Sequence, residues 1–253
     1  MFMPRYDFRT PRLFVDAALG EGEAVALTRE QANYLVNVLR LEPGSDVLLF
    51  NGHDGEWRAR LEAGKKSVRL QVAVRTRDQT PAGDLHCLFA PLKHARLDYM
   101  VQKAVEMGVS RLQPVITRHT QAERVNVARM RANAIEAAEQ CGILNVPETA
   151  EPIKLDALLH AWKAERLLVF CDEAADVADP LQALKRAQTA LHGIDVLIGP
   201  EGGFAEEERA LLLRQPIILR LALGPRILRA DTAGVAALAL VQAALGDWVP
   251  DRG

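Results

Sequence analysis

The spacing of apolar residues divides the chain into two parts with different periodicities. In the N-terminal part, short apolar runs alternate with turn-forming segments rich in Pro, Gly and Asn; the runs are Leu13–Val15, Val47–Phe50 and Val68–Val74. Glu56–Leu61 alternates polar and apolar residues, as expected of a strand with one buried face. One helix, with Thr28 as its N-cap, interrupts these strands. The pattern predicts a small β-barrel with one helix.

A polar stretch containing Pro81 and Gly83 separates this part from the rest of the chain. Beyond it, strand-like apolar runs alternate with helical stretches such as Leu97–Val105, whose apolar residues recur at i, i+3 and i+4. The runs are His86–Ala90, Leu112–Ile116, Arg166–Cys171, Asp195–Ile198 and Ile217–Leu221. This alternation predicts an α/β domain with a parallel sheet and helices on both faces. We therefore expect one domain at 1–76 and a second at 84–253.

Composition narrows the class of protein. The chain has 253 residues, 49% of them hydrophobic and 25% charged, which excludes a disordered or collagen-like chain. Its three cysteines, Cys87, Cys141 and Cys171, are far apart and form no C-x-x-C pair, which argues against a disulfide framework or a cysteine zinc site. No apolar run reaches the length of a membrane span, and charged residues break up the N-terminus, so we expect a cytoplasmic protein.

The charge distribution is uneven although the net charge is only −2. Residues 93–131 hold eight Lys or Arg side chains against three acidic ones. Such a segment fits a selective polyanion site, with Lys93 and Arg118 as candidate contacts, and it equally fits an ordinary solvated surface.

Two loops stand out because ligands of open α/β sheets bind beyond the carboxyl ends of the strands. The first follows the strand that ends at Ile198 and reads Gly199-Pro200-Glu201-Gly202-Gly203-Phe204. Its glycines allow a ligand to approach the backbone closely. It matches neither G-x-G-x-x-G nor a Walker loop, so the usual device for binding a dinucleotide or a nucleoside triphosphate is missing.

The second loop follows the strand that ends at Leu221 and reads Leu223-Gly224-Pro225-Arg226-Ile227-Leu228-Arg229. It leads into a nearly apolar last helix, Gly234–Leu245, for which Asp231 is the predicted N-cap. A helix that is apolar on all sides must be covered by protein. Either loop alone is compatible with a tight structural turn, but two such loops after successive strands form a specific combination.

These two loops, with Thr232-Ala233 after the second, resemble the paired signature of the bacterial ribosomal RNA small-subunit uridine-N3 methyltransferases, which belong to the SPOUT superfamily. The resemblance extends over essentially the whole chain. Further matching segments are Arg12–Val15, Val38–Arg40, Gln102–Val109 and Glu136–Gln140. The resemblance implies a PUA-like RNA-binding β-barrel followed by a trefoil-knotted α/β domain, S-adenosylmethionine as methyl donor, and a homodimer that acts on 16S ribosomal RNA. Methyl transfer from a sulfonium needs no metal, so we expect none.

The resemblance also implies a role for individual residues. The two loops would bind the cofactor through Ile198, Gly199, Pro200, Gly202, Leu223, Gly224, Ile227, Leu228, Thr232 and Ala233. RNA would be bound by Arg5, Arg9, Arg12, Lys93, Arg118 and Gln140. Since N3 of uracil carries a proton at neutral pH, catalysis needs a base or stabilisation of the uridine anion. Arg226 and Arg229 are the expected stabilisers, and Glu139 is the candidate that accepts or positions the proton.

Alternative interpretations of several residues stay open. Glu139 and Gln140 also fit a solvated helix face. The acids Asp172-Glu173 after a strand fit either recognition of the cofactor's ribose or amino group, or a structural turn. His119, in a polar loop, fits an RNA contact or a solvated side chain. For the whole chain, the alternatives are a knotted enzyme that methylates another base or a ribose 2′-oxygen, and a catalytically silent RNA-binding protein.

Overall fold

The computed structural model describes residues 7–63, 68–122, 124–162, 165–176, 179–187 and 193–248. The chain divides into two compact units. The first contains residues 1–81 together with 138–146, and the second contains 82–137 and 147–253. The sequence places the segment 138–146 wholly in the C-terminal domain, so its membership of the first unit is a finding of the structure.

The first unit is built on a mixed five-stranded sheet. Its strands are β1 (Arg12–Phe14), β2 (Ala24–Ala26), β3 (Asp46–Phe50), β4 (Glu56–Ala63) and β5 (Val68–Arg77). They pair in the order β1-β3-β4-β5-β2, with β1 parallel to β3 and the other neighbours antiparallel. Alternate residues of β3, β4 and β5 point into a buried apolar cluster that contains Val47, Leu49, Leu61 and Leu70. The N-terminal pattern predicts β1, β3, β4 and β5, but it does not predict the short strand β2.

The helix of the first unit begins at the predicted N-cap, but its C-terminal turn is not α-helical. Thr28 is the N-cap of α1 (Arg29–Asn33), and its hydroxyl accepts a hydrogen bond from Gln31 N–H while the Gln31 side chain accepts one from Thr28 N–H. The chain then continues as a π-helical turn, Tyr34–Val38. Arg40, just after it, has a left-handed φ of 55°. Apolar spacing does not distinguish a π turn from an α turn, so the sequence did not predict this one.

A buried carboxylate fastens the segment 138–146 to this sheet. Glu56 is 3% exposed and pairs with Arg12 of β1 (2.8 Å) and Arg77 of β5 (2.7 Å). Arg12 also donates to the backbone carbonyl of Glu139, and Arg77 donates to that of Gly142. Burial raises the pKa of Glu56, but the hydrogen bonds from Arg77, Arg12 and Thr76 outweigh it and hold that pKa below 4.5. The guanidinium groups of Arg12 and Arg77 thus pair with the buried carboxylate, and their other N–H groups donate to the backbone of the segment 138–146.

The second unit contains a sheet of seven parallel strands. They are β6 (Leu85–Phe89), β7 (Arg111–Ile116), β8 (Glu148–Thr149), β9 (Ile153–Lys154), β10 (Leu167–Cys171), β11 (Ile194–Ile198) and β12 (Ile218–Leu221). The alternation of runs predicts a parallel sheet and five of these strands, but not the two-residue strands β8 and β9. The order is β12-β10-β11-β6-β7-β8, and β9 also pairs with β7. Strand β10 therefore lies between β11 and β12, although it precedes both in the chain.

Helices connect these strands. They are α2 (His94–Glu106), α3 (Val127–Cys141), α4 (Leu155–Ala161), α5 (Pro180–Arg186), α6 (Glu206–Leu213) and α7 (Ala230–Ala244). The prediction that Asp231 caps the last helix is wrong, because α7 begins at Ala230 with Arg229 as its N-cap residue. Asp231 lies one residue inside the helix, where its carboxylate accepts from the N–H of Thr232. Within the described part of the chain, no helix is long and apolar enough to cross a membrane.

A second buried carboxylate lies near the amino ends of the strands. Asp195, 3% exposed, accepts hydrogen bonds from Trp162 Nε1 (2.6 Å) and Arg166 Nε (2.9 Å), and lies 2.9 Å from Nδ1 of His86. Arg166 also pairs with Asp84. Burial raises the pKa of Asp195, but the hydrogen bonds from His86, Arg166 and Trp162 lower it by more. The pKa of Asp195 therefore lies below its usual value.

This arrangement predicts an acid-sensitive stability. A carboxylate whose pKa is lower in the folded than in the unfolded state stabilises the fold above its unfolded pKa, and the contribution is lost as the pH falls through the folded pKa. Asp195→Asn should therefore lower the free energy of unfolding at pH 7 by about 3 kcal/mol, because Arg166 loses a buried partner. Its unfolding free energy should also change less than that of the wild type between about pH 5 and pH 2. Urea titrations measure both quantities.

The matched control for this experiment is Asp176→Asn, which removes an exposed carboxylate of the same unit. It should leave the unfolding free energy within about 0.5 kcal/mol of the wild type. Parallel pH profiles of Asp195→Asn and the wild type would contradict the role given to Asp195.

Candidate functional site

The carboxyl ends of three adjacent strands surround the main candidate site in the second unit. In register, Cys171 at the end of β10 is level with Leu221 at the end of β12, and Phe170 is level with Leu197 of β11. Each of the three strands is followed by a loop on the same edge of the sheet. Because the strands are parallel and neighbouring, the three loops enclose one space.

That space is a cavity of about 410 Å³, within the range of about 300–1,000 Å³ that is usual for small-molecule sites. Its lining residues come from the ends of β10, β11 and β12, the loops that follow them, α6 and the start of α7. They are Phe170–Ala174, Ile198–Phe204, Arg209, Leu221, Leu223, Gly224 and Arg226–Ala230, with Ala233. The walls combine apolar side chains with backbone groups of glycine-rich loops and a few charged side chains.

Most of the predicted cofactor residues are brought together here. The cavity is lined by Ile198, Gly199, Pro200, Gly202, Leu223, Gly224, Ile227, Leu228 and Ala233, and also by the predicted catalytic residues Arg226 and Arg229. Thr232 does not line the cavity and is exposed in the first turn of α7. The two loops that are separated by about one strand and one helix in the sequence thus form opposite walls of one site.

The sequence left the third wall open, because Asp172-Glu173 fit either a cofactor contact or a structural turn. This wall consists of the end of β10 and the turn after it, residues 170–174, with Arg209 of α6. The signal was available, because ligands bind beyond strand carboxyl ends and β10 is one of the predicted strands. The missing information was the strand order, which places β10 between the other two. Desolvation raises the pKa of the Cys171 thiol to about 12, so this cavity-lining thiol stays neutral at physiological pH.

Gly199 is required by the packing of the loop itself. A Cβ built on Gly199 would lie 2.6 Å from Cε2 of the Phe204 ring. That ring packs edge-to-face on Phe170, with centroids 5.2 Å apart, and contacts the buried apolar cluster of this unit. The loop can therefore turn back over the strand end only if residue 199 has no side chain.

The loop after β7 holds the glycine-rich loop from outside. His119 Nδ1 lies 3.0 Å from the carbonyl oxygen of Gly203 and 3.2 Å from that of Gly202, and must donate because carbonyls only accept. Glu208 accepts from the backbone N–H of Arg118 and, through its other oxygen, from that of Ala205. The second bond is one half of a capping box and satisfies the backbone N–H of Ala205, the N-cap residue of α6, whose methyl side chain cannot form the other half. Of the two interpretations left open for His119, neither included this support of the loop.

Arg226 and Arg229 are exposed at the wall formed by the second loop. Among the described residues, no hydrogen bond or ion pair engages either guanidinium group. Two cationic side chains at the mouth of a cavity can bind an anion or stabilise negative charge that develops on a reacting group.

The predicted RNA-binding residues of the first unit differ in exposure. Arg9 and Gln140 are exposed, and Arg5 lies outside the described residues. Arg12 is buried, with 4% of its side chain exposed, and its guanidinium is occupied by Glu56 and by backbone carbonyls. A phosphate could reach Arg12 only by displacing these partners, so the structure gives Arg12 a role in the packing of the first unit.

Glu139 also belongs to the first unit. One oxygen of its carboxylate accepts a hydrogen bond of 2.8 Å from the backbone N–H of Phe14, on edge strand β1. This bond fixes the orientation of the carboxylate and satisfies a strand N–H that has no strand neighbour on that side. The interpretation of Glu139 as a merely solvated side chain is therefore wrong.

In the second unit, Lys93 and Arg118 are exposed. Arg118 makes a long ion pair with Glu207 (3.5 Å), in which 69% and 75% of the two side chains are exposed, and an exposed pair of this kind contributes little stability. Across the described residues, no group of three or more His, Cys, Asp or Glu side chains is arranged to hold a metal ion.

The packing around Gly199 leads to a stability prediction. Gly199→Ala should lower the free energy of unfolding by about 1–3 kcal/mol, because the new methyl group displaces the Phe204 ring from Phe170. Thermal or urea unfolding measures the change. Gly83→Ala is the matched control, since a Cβ there meets nothing within 4 Å, and it should be neutral or slightly stabilising. Equal stability of both variants would show that the loop tolerates a side chain at residue 199.

Comparison with known families identifies both parts of the chain. Residues 78–242 match the family model described as RNA methyltransferase domain, which covers more than half of the chain. Residues 27–73 match the model described as RNA methyltransferase PUA domain. The second match lies within the β-rich first unit, and the first includes all three strands whose ends form the cavity.

Individual relatives agree with these matches. The ribosomal RNA small subunit methyltransferase E of Rickettsia conorii is 29% identical, over 91% of this chain and 94% of its own. The protein of that name from Synechocystis is 30% identical, over 87% and 73%.

Two solved structures are similar over nearly their whole length. A methyltransferase of Legionella pneumophila in complex with the cofactor SAM has a TM-score of 0.81 and 30% identity, over 93% of this chain and 98% of its own. The ribosomal RNA small subunit methyltransferase E of Neisseria gonorrhoeae, bound to S-adenosyl methionine, has a TM-score of 0.82 and 28% identity, over 95% and 100%. The chain therefore belongs to the RNA methyltransferase family, and within it to the ribosomal RNA small subunit methyltransferases E.

Proposed function

We propose that this protein transfers a methyl group from S-adenosylmethionine to N3 of a uridine in 16S ribosomal RNA. The observation that carries the proposal is the cavity at the carboxyl ends of β10, β11 and β12, lined by both loops of the paired signature. Two similar structures were solved with S-adenosylmethionine bound. The choice of N3 rests on the family resemblance of the two loops.

The cavity has the chemistry that this cofactor needs. Ile198, Leu221 and Leu223 provide apolar surfaces for the faces of an adenine ring, and the loop backbones provide N–H and C=O groups for its edge. When bound, the cofactor supplies an electrophilic methyl group on a sulfonium. The residues of the chain have to hold the acceptor in line with that methyl group and exclude water from the site.

The acceptor must lose its N3 proton before it becomes a good nucleophile. Arg226 and Arg229 would stabilise the uridine anion by donating charge-assisted hydrogen bonds to its carbonyl oxygens. Glu139, with its carboxylate oriented by Phe14 N–H, would accept or position the proton. Arg9, Lys93, Arg118 and Gln140, all exposed, would bind the RNA.

A homodimer, a trefoil knot and a substrate presented within the small ribosomal subunit in the cytoplasm belong to the same proposal. The helix α7 supports the dimer, because its partly exposed residues Val235, Ala236, Ala239 and Leu240 are apolar and form a stripe at helical spacing. Burying such a stripe against a second copy would remove it from water. Sedimentation at micromolar concentration tests the dimer.

The proposed reaction is tested on small ribosomal subunits from cells that lack this enzyme. Incubation with the protein and methyl-labelled S-adenosylmethionine should place one methyl group on N3 of one uridine, located by mass spectrometry of digested RNA. A methyl group on a ribose or on another base would support a knotted methyltransferase of different specificity. Cofactor binding without any transfer, to subunits or to naked RNA, would contradict the proposal.

Arg229→Ala tests the role of the second loop in this reaction. At saturating RNA and cofactor, it should slow single-turnover methylation by at least about 100-fold, the effect expected when a charge-stabilising donor is lost. The unfolding free energy should change by no more than about 0.5 kcal/mol, because Arg229 is exposed. A normal rate in Arg229→Ala would show that Arg229 is not needed to stabilise the uridine anion, and this role would then fall to Arg226.

Two arginines of the first unit separate RNA binding from packing. Arg9→Ala should weaken RNA binding and reduce the salt dependence of log K by about 0.7–0.9, the value for one lost phosphate contact. Arg12→Ala should instead lower the free energy of unfolding by about 3–5 kcal/mol, because Glu56 loses a buried partner. Filter binding at several salt concentrations and urea unfolding distinguish them. If Arg12→Ala changed only the salt slope, the packing role of Arg12 would be wrong.

A further inference from the structure

Two consecutive acids, Asp172 and Glu173, follow β10 and line the cavity, but the structure places them in different environments. Asp172 is 6% exposed and Glu173 is exposed. In the sequence they are indistinguishable, since either acid could bind a ligand or hold a turn. Their surroundings separate the two roles.

Asp172 is fully engaged by protein. Its Oδ2 accepts from Arg220 of β12 (2.7 Å) and from Arg209 of α6 (2.9 Å), and its Oδ1 accepts from the backbone N–H of Ala174. Burial raises the pKa of Asp172, but these hydrogen bonds outweigh it and bring the pKa below 3.8. Asp172 therefore holds the turn after β10 in place, and Arg209 is neutralised at the cavity wall.

Glu173 is held at the cavity by that turn and is not engaged. Within the described parts of the chain, no hydrogen bond or ion pair involves its carboxylate. The other exposed acid of the lining, Glu201, pairs with Arg96 at 3.1 Å. Glu173 thus differs from both other lining acids in having its two oxygens available to a ligand.

The sheet order places Glu173 between the two loops of the signature. Strand β10 has β11 on one side and β12 on the other, so the turn that carries Glu173 lies between the Gly199 loop and the Gly224 loop. Those loops provide the surfaces for an adenine ring. A group attached directly to that ring would then lie near the middle of the three strand ends.

We propose that the Glu173 carboxylate binds the ribose of the nucleoside ligand by accepting hydrogen bonds from its 2′- and 3′-hydroxyl groups. An ionised carboxylate only accepts, and its two oxygens match two adjacent O–H donors. An acid beyond a strand end binds a ribose hydroxyl in other open parallel sheets. This inference rests on the proposed function, because it assumes an adenosine cofactor in this cavity.

The experiment compares two ligands that share adenosine but differ in the amino-acid part. S-adenosylhomocysteine carries ribose and an ammonium group, whereas 5′-deoxy-5′-methylthioadenosine carries the ribose without the ammonium. Glu173→Ala should lower the affinity for both ligands, measured by calorimetry, by about 10- to 100-fold, the effect of losing hydrogen bonds to a charged group. The 2′-deoxy form of methylthioadenosine should bind the wild type more weakly than its parent does, and this difference should shrink in Glu173→Ala.

Glu206→Ala is the matched control, because Glu206 is an exposed acid of the same unit that does not line the cavity. It should change each affinity by less than about twofold. A loss in Glu173→Ala that is confined to S-adenosylhomocysteine would overturn the inference and assign Glu173 to the ammonium group. Unchanged affinity for both ligands would also overturn it. If the wild type bound neither these ligands nor S-adenosylmethionine, the proposed function itself would fail, which is a distinct result.

Discussion

The parallel pairing of β10 with both β11 and β12 is the constraint on which the site depends. Parallel strands point their carboxyl ends to the same edge of a sheet, so the loops after three neighbouring strands must meet there. A different strand order would separate the Gly199 and Gly224 loops, and no single space would contain both. The glycines, the Phe204 ring and the support from His119 then adjust the shape of a cavity whose position the sheet has already determined.

Both units contain buried carboxylates that bind arginines, and each of these carboxylates holds residues of its own unit in place. Glu56 fastens the segment 138–146 to the first unit, Asp195 joins residues near the amino ends of the strands in the second, and Asp172 holds the turn beside the cavity. Such groups are costly to bury and are stable only when every partner is present. Each therefore specifies one arrangement of its neighbours, and the functional consequence is clearest at Asp172, which leaves Glu173 facing the cavity.

The sequence predicted the elements better than their connections. Apolar periodicity located α2 and every strand except the short β2, β8 and β9, and the pairing of the two loops located most of the cavity lining. The periodicity did not give the order of strands, and the sequence therefore could not decide whether Asp172-Glu173 at the end of β10 contact a ligand or hold a turn. The burial of Arg12 was also missed, because a sequence shows a basic residue on a strand without showing whether a carboxylate 44 positions away will meet it. The start of α7 was misplaced because Asp231 is a good N-cap residue in isolation, whereas the chain enters the helix at Ala230.

A crystal structure of this protein with S-adenosylmethionine would show directly whether the three strand ends hold the cofactor. We predict that the adenosine lies between the Gly199 and Gly224 loops, at the ends of β10, β11 and β12, with the methyl group directed to the side where Arg226 and Arg229 are exposed. Electron density for the cofactor at another place in the chain, with these three strand ends free of ligand, would contradict it.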